Sequence, residues 1–222
     1  MLINKIKYNE IIHELTAKNV CLVAVSKTKT TEAIKQLYEL GQRDFGENYV
    51  QELVDKQSKL PTNIRWHFIG HLQTNKAKYI TPFIHLVHGV DSFKLLKEIN
   101  KQALKSQRVI KLLLQIHIAE EETKFGLNEQ ELNEIINSNE LSGLKNVEIV
   151  GLMGMASFTE NKEQVRKEFR YLKSLFDRYA NAQAANYKKQ FLSMGMSSDY
   201  KIAIEEGSTL VRIGSLIFGE RN

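Results

Sequence analysis

The sequence predicts an α/β fold, a single closed (β/α)8 barrel of the TIM-barrel class with one extra helix at its N-terminus. The length of 222 residues suits such a barrel, which commonly has about 200–250 residues. Short apolar segments alternate with segments of helical periodicity, in about eight units. Parallel strands need crossover connections, and alternating helices supply them. We therefore expect one barrel domain over residues 1–222.

The predicted elements follow the alternation of apolar periods along the chain. A helix is predicted at 4–18, with Ile6, Ile11, Ile12 and Leu15 near one face, and the first strand at 20–27. Further strands are predicted at 44–46, 65–69, 84–90, 110–118, 147–153, 191–194 and 210–213. Further helices are predicted at 30–40, 49–59, 74–79, 92–105, 128–138, 162–180 and 199–205.

Capping and turn residues support these boundaries. The helix at 30–40 begins at the hydroxyl residues Thr30 and Thr31 and is followed by Gly41, a typical C-terminal stop. Pro61 and Pro82 stand at element boundaries, so no interdomain linker is indicated. The competing open, doubly wound sheet would normally carry a glycine-rich turn after its first strand, and residues 26–29 contain no glycine.

Composition excludes several classes of function. No apolar run reaches the roughly 18 residues that cross a bilayer, and the N-terminus lacks a signal-peptide core. We expect a cytoplasmic protein with no membrane partner. The net charge of +5 is spread along helices opposite glutamates, so no nucleic-acid partner is expected. The single cysteine, Cys21, excludes an intrachain disulfide and is predicted to be a small core residue.

Lys27 ends an apolar run and is the first candidate for chemistry. The period of two places it on the same strand face as Val23 and Val25. An ammonium group that is buried tends to lose its proton, and an uncharged amine attacks carbonyl groups, as a Schiff-base lysine does. The alternative, which this stretch alone favours, is a lysine at the strand exit whose amine reaches water.

The carboxyl ends of the last two strands have the character of a phosphate site. Barrel active sites lie at this end of the strands, where 193–199 and 212–215 bring glycines and hydroxyl groups. Glycine permits close backbone approach, and a short helix beginning at Met196 would direct N–H groups at an anion. The alternative is that these serines and glycines only cap and turn the chain.

Six ordered motifs carry a resemblance to a known family. They are Ala24-Val-Ser-Lys-Thr28, Phe45-Gly-Glu-Asn48, His67-Phe-Ile-Gly-His-Leu-Gln73, Gly151-Leu-Met-Gly-Met155, Leu192-Ser-Met-Gly-Met-Ser-Ser-Asp199 and Val211-Arg-Ile-Gly-Ser215. Between about Val20 and Gly219 the chain resembles the pyridoxal-phosphate homeostasis protein family. Its members share the fold type III barrel of the alanine racemase N-terminal domain.

The resemblance implies pyridoxal 5'-phosphate (PLP) as the cofactor and gives each motif a role. Lys27 would form the internal aldimine and Arg212 would face the pyridine nitrogen. The phosphate would be held by Ser193, Ser197, Gly214 and Ser215, and the ring would be lined by Asn48, His71 and Met155. The family commonly has threonine at the position of Ser215, and both residues offer a hydroxyl.

The resemblance also implies a function in PLP homeostasis, without established turnover, and we expect no enzyme activity. PLP-requiring apo-enzymes are candidate partners. The alternative is a PLP-dependent amino-acid racemase of the same fold, which uses a tyrosine from a second domain or subunit as its other base. The chain ends at Asn222, so we expect neither that domain nor its dimer interface, and predict a monomer. A third reading, an aldolase acting through Lys27, is disfavoured by Arg212.

Two histidine pairs and one aromatic residue complete the candidates. His67 with His71, and His85 with His88, could suggest a metal site, but zinc needs three or four converging ligands. We predict packed or hydrogen-bonded histidines and no metal. Phe158 would either shield a cofactor or pack in the ordinary way.

Overall fold

The eight parallel strands close into a barrel in chain order, with β1 paired to β8. The structure is a computed structural model, which describes residues 2–121, 124–181 and 186–219. The strands are β1 Cys21–Val25, β2 Asp44–Glu47, β3 Arg65–Phe68, β4 Leu86–Val90, β5 Ile110–Ile116, β6 Val147–Gly154, β7 Tyr187–Ser193 and β8 Leu210–Ile213. The predicted (β/α)8 barrel is confirmed.

Helices cover the outside of the barrel and one precedes it, as the alternation predicts. They are α1 Lys5–Ala17, α2 Thr31–Glu39, α3 Val50–Lys59, α4 Ala77–Ile80, α5 Phe93–Lys105, α6 Glu129–Ile136, α7 Lys162–Arg178, α8 Tyr200–Glu205 and α9 Ser215–Phe218. Short 3-10 turns lie at Thr74–Lys76, Leu141–Gly143 and Tyr179–Asn181. Within the described residues, no helix combines the length and apolarity needed to cross a bilayer.

Two apolar cores result from the alternation of side chains along each strand. In β1, Leu22 and Ala24 point outward and join the layer between the strands and helices. Val23 points inward and packs in a second cluster that fills the barrel. The other buried members of this interior cluster are Leu86, Leu113, Val150, Met153 and Leu210. Residues on the Val23 face therefore point into the barrel.

Two predictions near the N-terminus are wrong. Ile6 is 75% exposed, and α1 instead buries Tyr8, Ile11 and Leu15. Cys21 is exposed, because it is the first residue of β1 and lies at the rim of the barrel, outside the cover of the helices. Burial of part of its surface still raises the pKa of the Cys21 thiol, which disfavours the reactive thiolate.

Two boundaries differ from the predicted ones in ways that affect the site. β1 ends at Val25, so Lys27 lies in the turn beyond the strand. β7 begins at Tyr187, ahead of the predicted 191, because its first half pairs with β6 through an exposed polar stretch that has no apolar pattern. The final helix α9, directly after Gly214, was not predicted.

Candidate binding site at the carboxyl end of the barrel

A cavity of about 580 Å³ opens at the carboxyl ends of the strands. It collects residues that are far apart in the sequence, from the ends of β1, β2, β6 and β8 and from the turn before α8. Seven of the nine predicted site residues line it: Lys27, Asn48, Met155, Ser197, Arg212, Gly214 and Ser215. Barrel topology accounts for this, since the carboxyl ends of all eight strands meet at one face.

The turn that carries Lys27 is under backbone strain. Thr28 has φ of 64°, in the left-handed region that a β-branched residue rarely adopts. Its N–H donates to the Glu52 carboxylate at 2.6 Å, which holds the turn in this conformation. Lys27 itself is half-buried. The lysine therefore stands on a fixed turn above β1, and its side chain borders the cavity.

A buried ammonium group braces this turn from below. Lys56 Nζ donates to the Ser26 carbonyl at 2.7 Å, to Glu47 Oε1 at 2.8 Å and to Glu52 Oε1 at 2.6 Å. Ser26 Oγ also donates to Glu47 Oε1 at 2.6 Å. Burial raises the pKa of Glu47, and the nearby Lys56 ammonium opposes that rise. The backbone on both sides of Lys27 is thus fixed by one buried cluster.

Arg212 is a buried cation on the cavity wall. Its guanidinium donates to the Ser193 carbonyl at 3.0 Å, to Ser193 Oγ at 2.5 Å and to the Gly154 carbonyl at 3.1 Å. Burial lowers the pKa of Arg212 to about 10, so the side chain stays charged at neutral pH. An arginine has five N–H groups, and at least two of these have no partner within the described residues.

The turns after β7 and β8 lie side by side, as a phosphate site requires. The Gly214 N–H donates to Ser197 Oγ at 3.3 Å, and the Met196 N–H donates to Asp199 Oδ1 at 2.6 Å. A Cβ on Gly214 would lie only 3.1 Å from the Val25 carbonyl, so a side chain there would crowd the cavity edge. Ser215 begins α9, and the first N–H groups of a helix have no partner within it.

The middle of the cavity combines apolar walls with one unused polar atom. Met155 and Ile69 line it. Asn48 Oδ1 is buried, and no hydrogen bond reaches it from the part of the chain that the structure describes. A buried acceptor without a partner is costly, and a donor group on a bound ligand would remove that cost.

Two predicted site residues do not reach the cavity lining. Ser193 is completely buried below it, because the last residue of β7 points into the barrel, and its hydroxyl is engaged by Arg212 and His88. The structure thus places Ser193 below the cavity lining, and its phosphate role stays a prediction. His71 points away from the cavity, with Nδ1 3.0 Å from Asp91 Oδ2 and its ring stacked on Phe125 at 4.1 Å between centroids. His71 therefore does not line the cavity in this structure, and its place beside the cofactor ring stays a prediction.

Sequence reasoning missed one cationic residue of the cavity. Lys29 lines it together with Lys27, and its ammonium donates to the Phe218 carbonyl at 3.2 Å and the Gly219 carbonyl at 3.3 Å. Its position two residues after Lys27, in the same segment beyond the end of β1, was the available signal. Phe158 lines the rim and is 93% exposed, so it does not pack in the ordinary way.

His67 and His85 lie towards the amino end of the barrel, near Asp44 at the first position of β2. His67 and His88 are hydrogen-bonded to each other at 2.9 Å, in agreement with the expectation of packed, hydrogen-bonded rings. Asp44, His67 and His85 lie close enough together to hold a metal ion. Both oxygens of Asp44, however, already accept hydrogen bonds from Arg65, and this guanidinium would repel a cation.

Comparisons with known proteins agree with this architecture. The family model described as "Alanine racemase, N-terminal domain" matches residues 4–222. A pyridoxal phosphate homeostasis protein of Aquifex aeolicus is 42% identical over 201 residues, covering 90% of this chain and 86% of that protein. The human protein of the same name is 41% identical over 211 residues, covering 90% of this chain and 76% of its own length.

Solved structures extend the comparison to the fold. PipY of Synechococcus elongatus PCC7942 without PLP is 34% identical, with a TM-score of 0.89 over 96% of this chain and 98% of that one. PipY has also been solved with PLP bound, at a TM-score of 0.83 over 95% and 99% of the two chains. Alanine racemase from Bartonella henselae is 17% identical, with a TM-score of 0.71 over 96% of this chain and 59% of that one, which shows a shared fold.

The fold and the site together define a (β/α)8 barrel of the alanine racemase N-terminal type, with a lysine and a buried arginine on the wall of its carboxyl-end cavity. Within that class, the identities of about 40% to several relatives are decisive. The chain belongs to the alanine racemase N-terminal domain family and, in it, to the pyridoxal phosphate homeostasis proteins.

Proposed function

We propose that this protein binds PLP in the cavity and takes part in PLP homeostasis. The observation that carries the proposal is Arg212, a buried cation that faces the cavity with spare N–H groups and lines it together with Lys27. A pyridine nitrogen without a proton accepts such an N–H group. The cavity volume of about 580 Å³ falls in the usual range for small-molecule sites, about 300–1,000 Å³.

Lys27 supplies the covalent attachment. Its amine would hold the aldehyde group of the cofactor, in the way that Schiff-base lysines hold carbonyl compounds. The fixed turn supports this role, since the buried Lys56 cluster holds the backbone on both sides of the lysine. Lys27 lies beyond the strand and is only half-buried, so its side chain can reach the cavity without displacing the interior packing.

The two turns after β7 and β8 hold the phosphate. Ser197 and Ser215 offer hydroxyl groups, and the first N–H groups of α9 point out of the helix without internal partners. Gly214 keeps the edge of the cavity open for a close approach of the anion. Of the four residues predicted to hold the phosphate, Ser197, Gly214 and Ser215 line the cavity and carry this proposal.

The protein holds the cofactor and does not turn over amino acids. The bound cofactor supplies an electron sink for carbanions, but a permanently charged arginine leaves the ring nitrogen unprotonated and weakens that sink. The titratable residues of the cavity lining are Lys27, Lys29 and Arg212, and none of the described lining residues is a tyrosine. Racemisation needs a base on each face of the substrate.

The first experiment tests attachment. Purified protein incubated with PLP should show a visible absorbance band, and borohydride followed by peptide mapping should label Lys27. Lys27→Ala should abolish both the band and the label. Lys29→Gln is the matched control, because Lys29 lines the same cavity but is engaged with two carbonyls, and it should retain the covalent band. A label on another lysine, or a band that survives Lys27→Ala, would refute the site.

The second experiment separates holding from catalysis. Loaded protein is incubated with single enantiomers of alanine and serine in deuterated water, and exchange of the α-proton is followed by NMR. No exchange above free PLP is expected. Steady exchange with racemisation would instead establish the racemase alternative and overturn the non-catalytic part of the proposal.

The third experiment concerns supply of the cofactor. We propose that the loaded protein transfers PLP to PLP-requiring apo-enzymes and acts as a monomer. Loaded protein is mixed with a cofactor-free PLP enzyme in the presence of a trap for free PLP, and reactivation is measured. Reactivation despite the trap supports direct transfer, whereas complete inhibition by the trap means that the cofactor passes through solution.

A further inference from the structure

A line of hydrogen-bonded side chains crosses the barrel interior and ends at Arg212. From the amino end of the strands, Asp44 Oδ1 lies 3.0 Å from His67 Nε2, and His67 Nδ1 lies 2.9 Å from His88 Nε2. His88 Nδ1 lies 3.1 Å from Ser193 Oγ, which accepts from Arg212 at 2.5 Å. We name these five residues, contributed by β2, β3, β4, β7 and β8, the interior chain.

The interior chain is isolated from solvent except at one end. His67, His88, Ser193 and Arg212 are each at most 4% exposed. Asp44 lies at the first position of β2, and its carboxylate is paired with the half-exposed Arg65 at 2.7 and 2.5 Å. Buried polar side chains in a low-dielectric interior strengthen one another when all are satisfied, so the position of each member depends on its neighbours.

The two ends give the interior chain a single direction. A guanidinium can only donate, so Ser193 Oγ accepts from Arg212, and its own hydrogen remains available for donation to His88 Nδ1. His88 must then carry its hydrogen on Nε2 and donate to His67 Nδ1, and His67 donates from Nε2 to Asp44. This pattern leaves both rings neutral and gives each of the four ring nitrogens a hydrogen-bond partner. The reverse order would need one more proton in the interior chain, on the Asp44 carboxyl or on the His67 ring.

The charges at the two ends stabilise this direction. Hydrogen bonds from Arg65 and His67 lower the pKa of Asp44, against the opposing effect of burial, so its carboxylate is ionised and accepts. Burial lowers the pKa of His88 well below its usual value, so that ring stays neutral. At the other end, the Asp199 carboxylate opposes the lowering of the Arg212 pKa by burial, although no carboxylate of the described residues is in hydrogen-bond contact with Arg212.

We propose that His67, His88 and Ser193 are positioning residues, which hold the Arg212 guanidinium on the cavity wall and couple it to Asp44 at the opposite end of the barrel. The inference rests on the proposed function, because Arg212 is taken to meet the cofactor. It adds that cofactor binding depends on side chains that lie outside the cavity lining. None of these three residues touches the ligand.

The first test needs no cofactor and therefore stands apart from the proposed function. In apo-protein with 15N-labelled histidine, His67 and His88 should both appear as neutral rings with hydrogen on Nε2. Signals are assigned with His67→Asn and His88→Gln. Either ring found with hydrogen on Nδ1 alone, or charged at pH 8, would overturn the direction of the interior chain even if PLP binds.

The second test measures coupling through PLP titrations at pH 8. His88→Gln keeps an amide nitrogen near the Nε2 position and loses the bond to Ser193, whereas Ser193→Ala truncates the neighbouring link and is less disruptive to the fold. Each should weaken PLP binding by about tenfold, since hydrogen bonds to charged groups are worth about 1.5–3 kcal/mol. Asp44→Asn, at the far end, should weaken it by about threefold.

A double-mutant cycle gives the decisive result. If the interior chain couples Asp44 to Arg212, Asp44→Asn should cause no further loss of PLP affinity in the His88→Gln background. The reason is that the effects of coupled sites on binding free energy are not additive. Fully additive losses would overturn the proposal. His85→Gln is the control: its ring lies 5.4 Å from the His67 ring outside the chain, and PLP affinity should stay within about twofold. If the wild type binds no PLP, the proposed function fails while the histidine result still stands.

Discussion

The two ends of the barrel interior use charged side chains in opposite ways. At the amino end, Asp44, Arg65 and His67 satisfy one another, and both Asp44 oxygens are engaged. At the carboxyl end, Arg212 is only 4% exposed yet keeps N–H groups without a partner among the described residues. Burial of charge is common to both ends and does not by itself mark a site, whereas unused hydrogen-bonding capacity distinguishes the carboxyl end, where the proposed function places the ligand.

The largest effect should come from removing the buried ammonium under the cavity. Lys56→Met leaves Glu47 and Glu52 without their shared partner, and breaking a buried pair costs about 3–5 kcal/mol of unfolding free energy. Lys59→Met is the matched control on α3, because Lys59 forms an exposed pair with Asp55 and should cost less than about 1 kcal/mol. Urea denaturation measures both, and equal losses would contradict the argument.

Removal of the buried guanidinium should damage binding more than folding. Arg212→Met should weaken PLP binding by about 10- to 100-fold, the value of a hydrogen bond to a charged group. Arg170→Met, at an exposed arginine paired with Glu206, should leave binding unchanged. Fluorescence titration with PLP measures the affinities. An Arg212→Met protein that is folded and binds PLP like the wild type would mean that the carboxyl end is not the binding end.

A methyl group at the edge of the cavity should have a smaller effect. The Cβ of Gly214→Ala would lie 3.1 Å from the Val25 carbonyl and 3.2 Å from Val25 Cβ, and such crowding costs about 1–3 kcal/mol. We expect weaker PLP binding together with a small loss of stability. Gly143→Ala is the control, since a Cβ there meets no atom within 4 Å. Unchanged PLP affinity in Gly214→Ala would remove this glycine from the phosphate site.

The smallest expected effect is on the pH dependence of stability, through His85 at the amino end of the barrel. Burial lowers the pKa of His85 to about 4 from an ordinary 6.5. The folded state therefore binds this proton less readily than the unfolded state, and stability is present above pH 6.5 and falls progressively towards pH 4. His85→Gln should reduce that acid-dependent loss, measured as the urea midpoint at pH 7 minus that at pH 5. An identical loss in variant and wild type would contradict the assignment.

Much of the fold could be predicted because strand periodicity and barrel closure are encoded locally. The run around Val23 identifies β1, and the phosphate-type turn at Gly214 follows a clear apolar strand. The start of β7 could not be predicted, because its pairing with β6 carries no apolar pattern. Ile6 was misplaced because α1 covers the barrel end with one narrow face.

The site residues could be predicted where they follow the carboxyl end of a strand, because barrel topology brings these positions to one face. Lys27 and Arg212 follow from strand ends and reach the cavity. Ser193 has the right neighbours in sequence, but its place as the last inward residue of β7 puts it below the cavity floor. The interior chain could not be predicted from the sequence, because its five members come from five different strands and are brought together only when the barrel closes.

The spare N–H groups of Arg212 link the folding equilibrium to the supply of ligand. A ligand that binds only the folded state raises the unfolding free energy by RT ln(1 + [L]/Kd), and a buried guanidinium with unused donors makes the empty protein the less stable form. The melting temperature then rises with the concentration of free cofactor. The stability of the folded protein therefore reports the concentration of the free ligand.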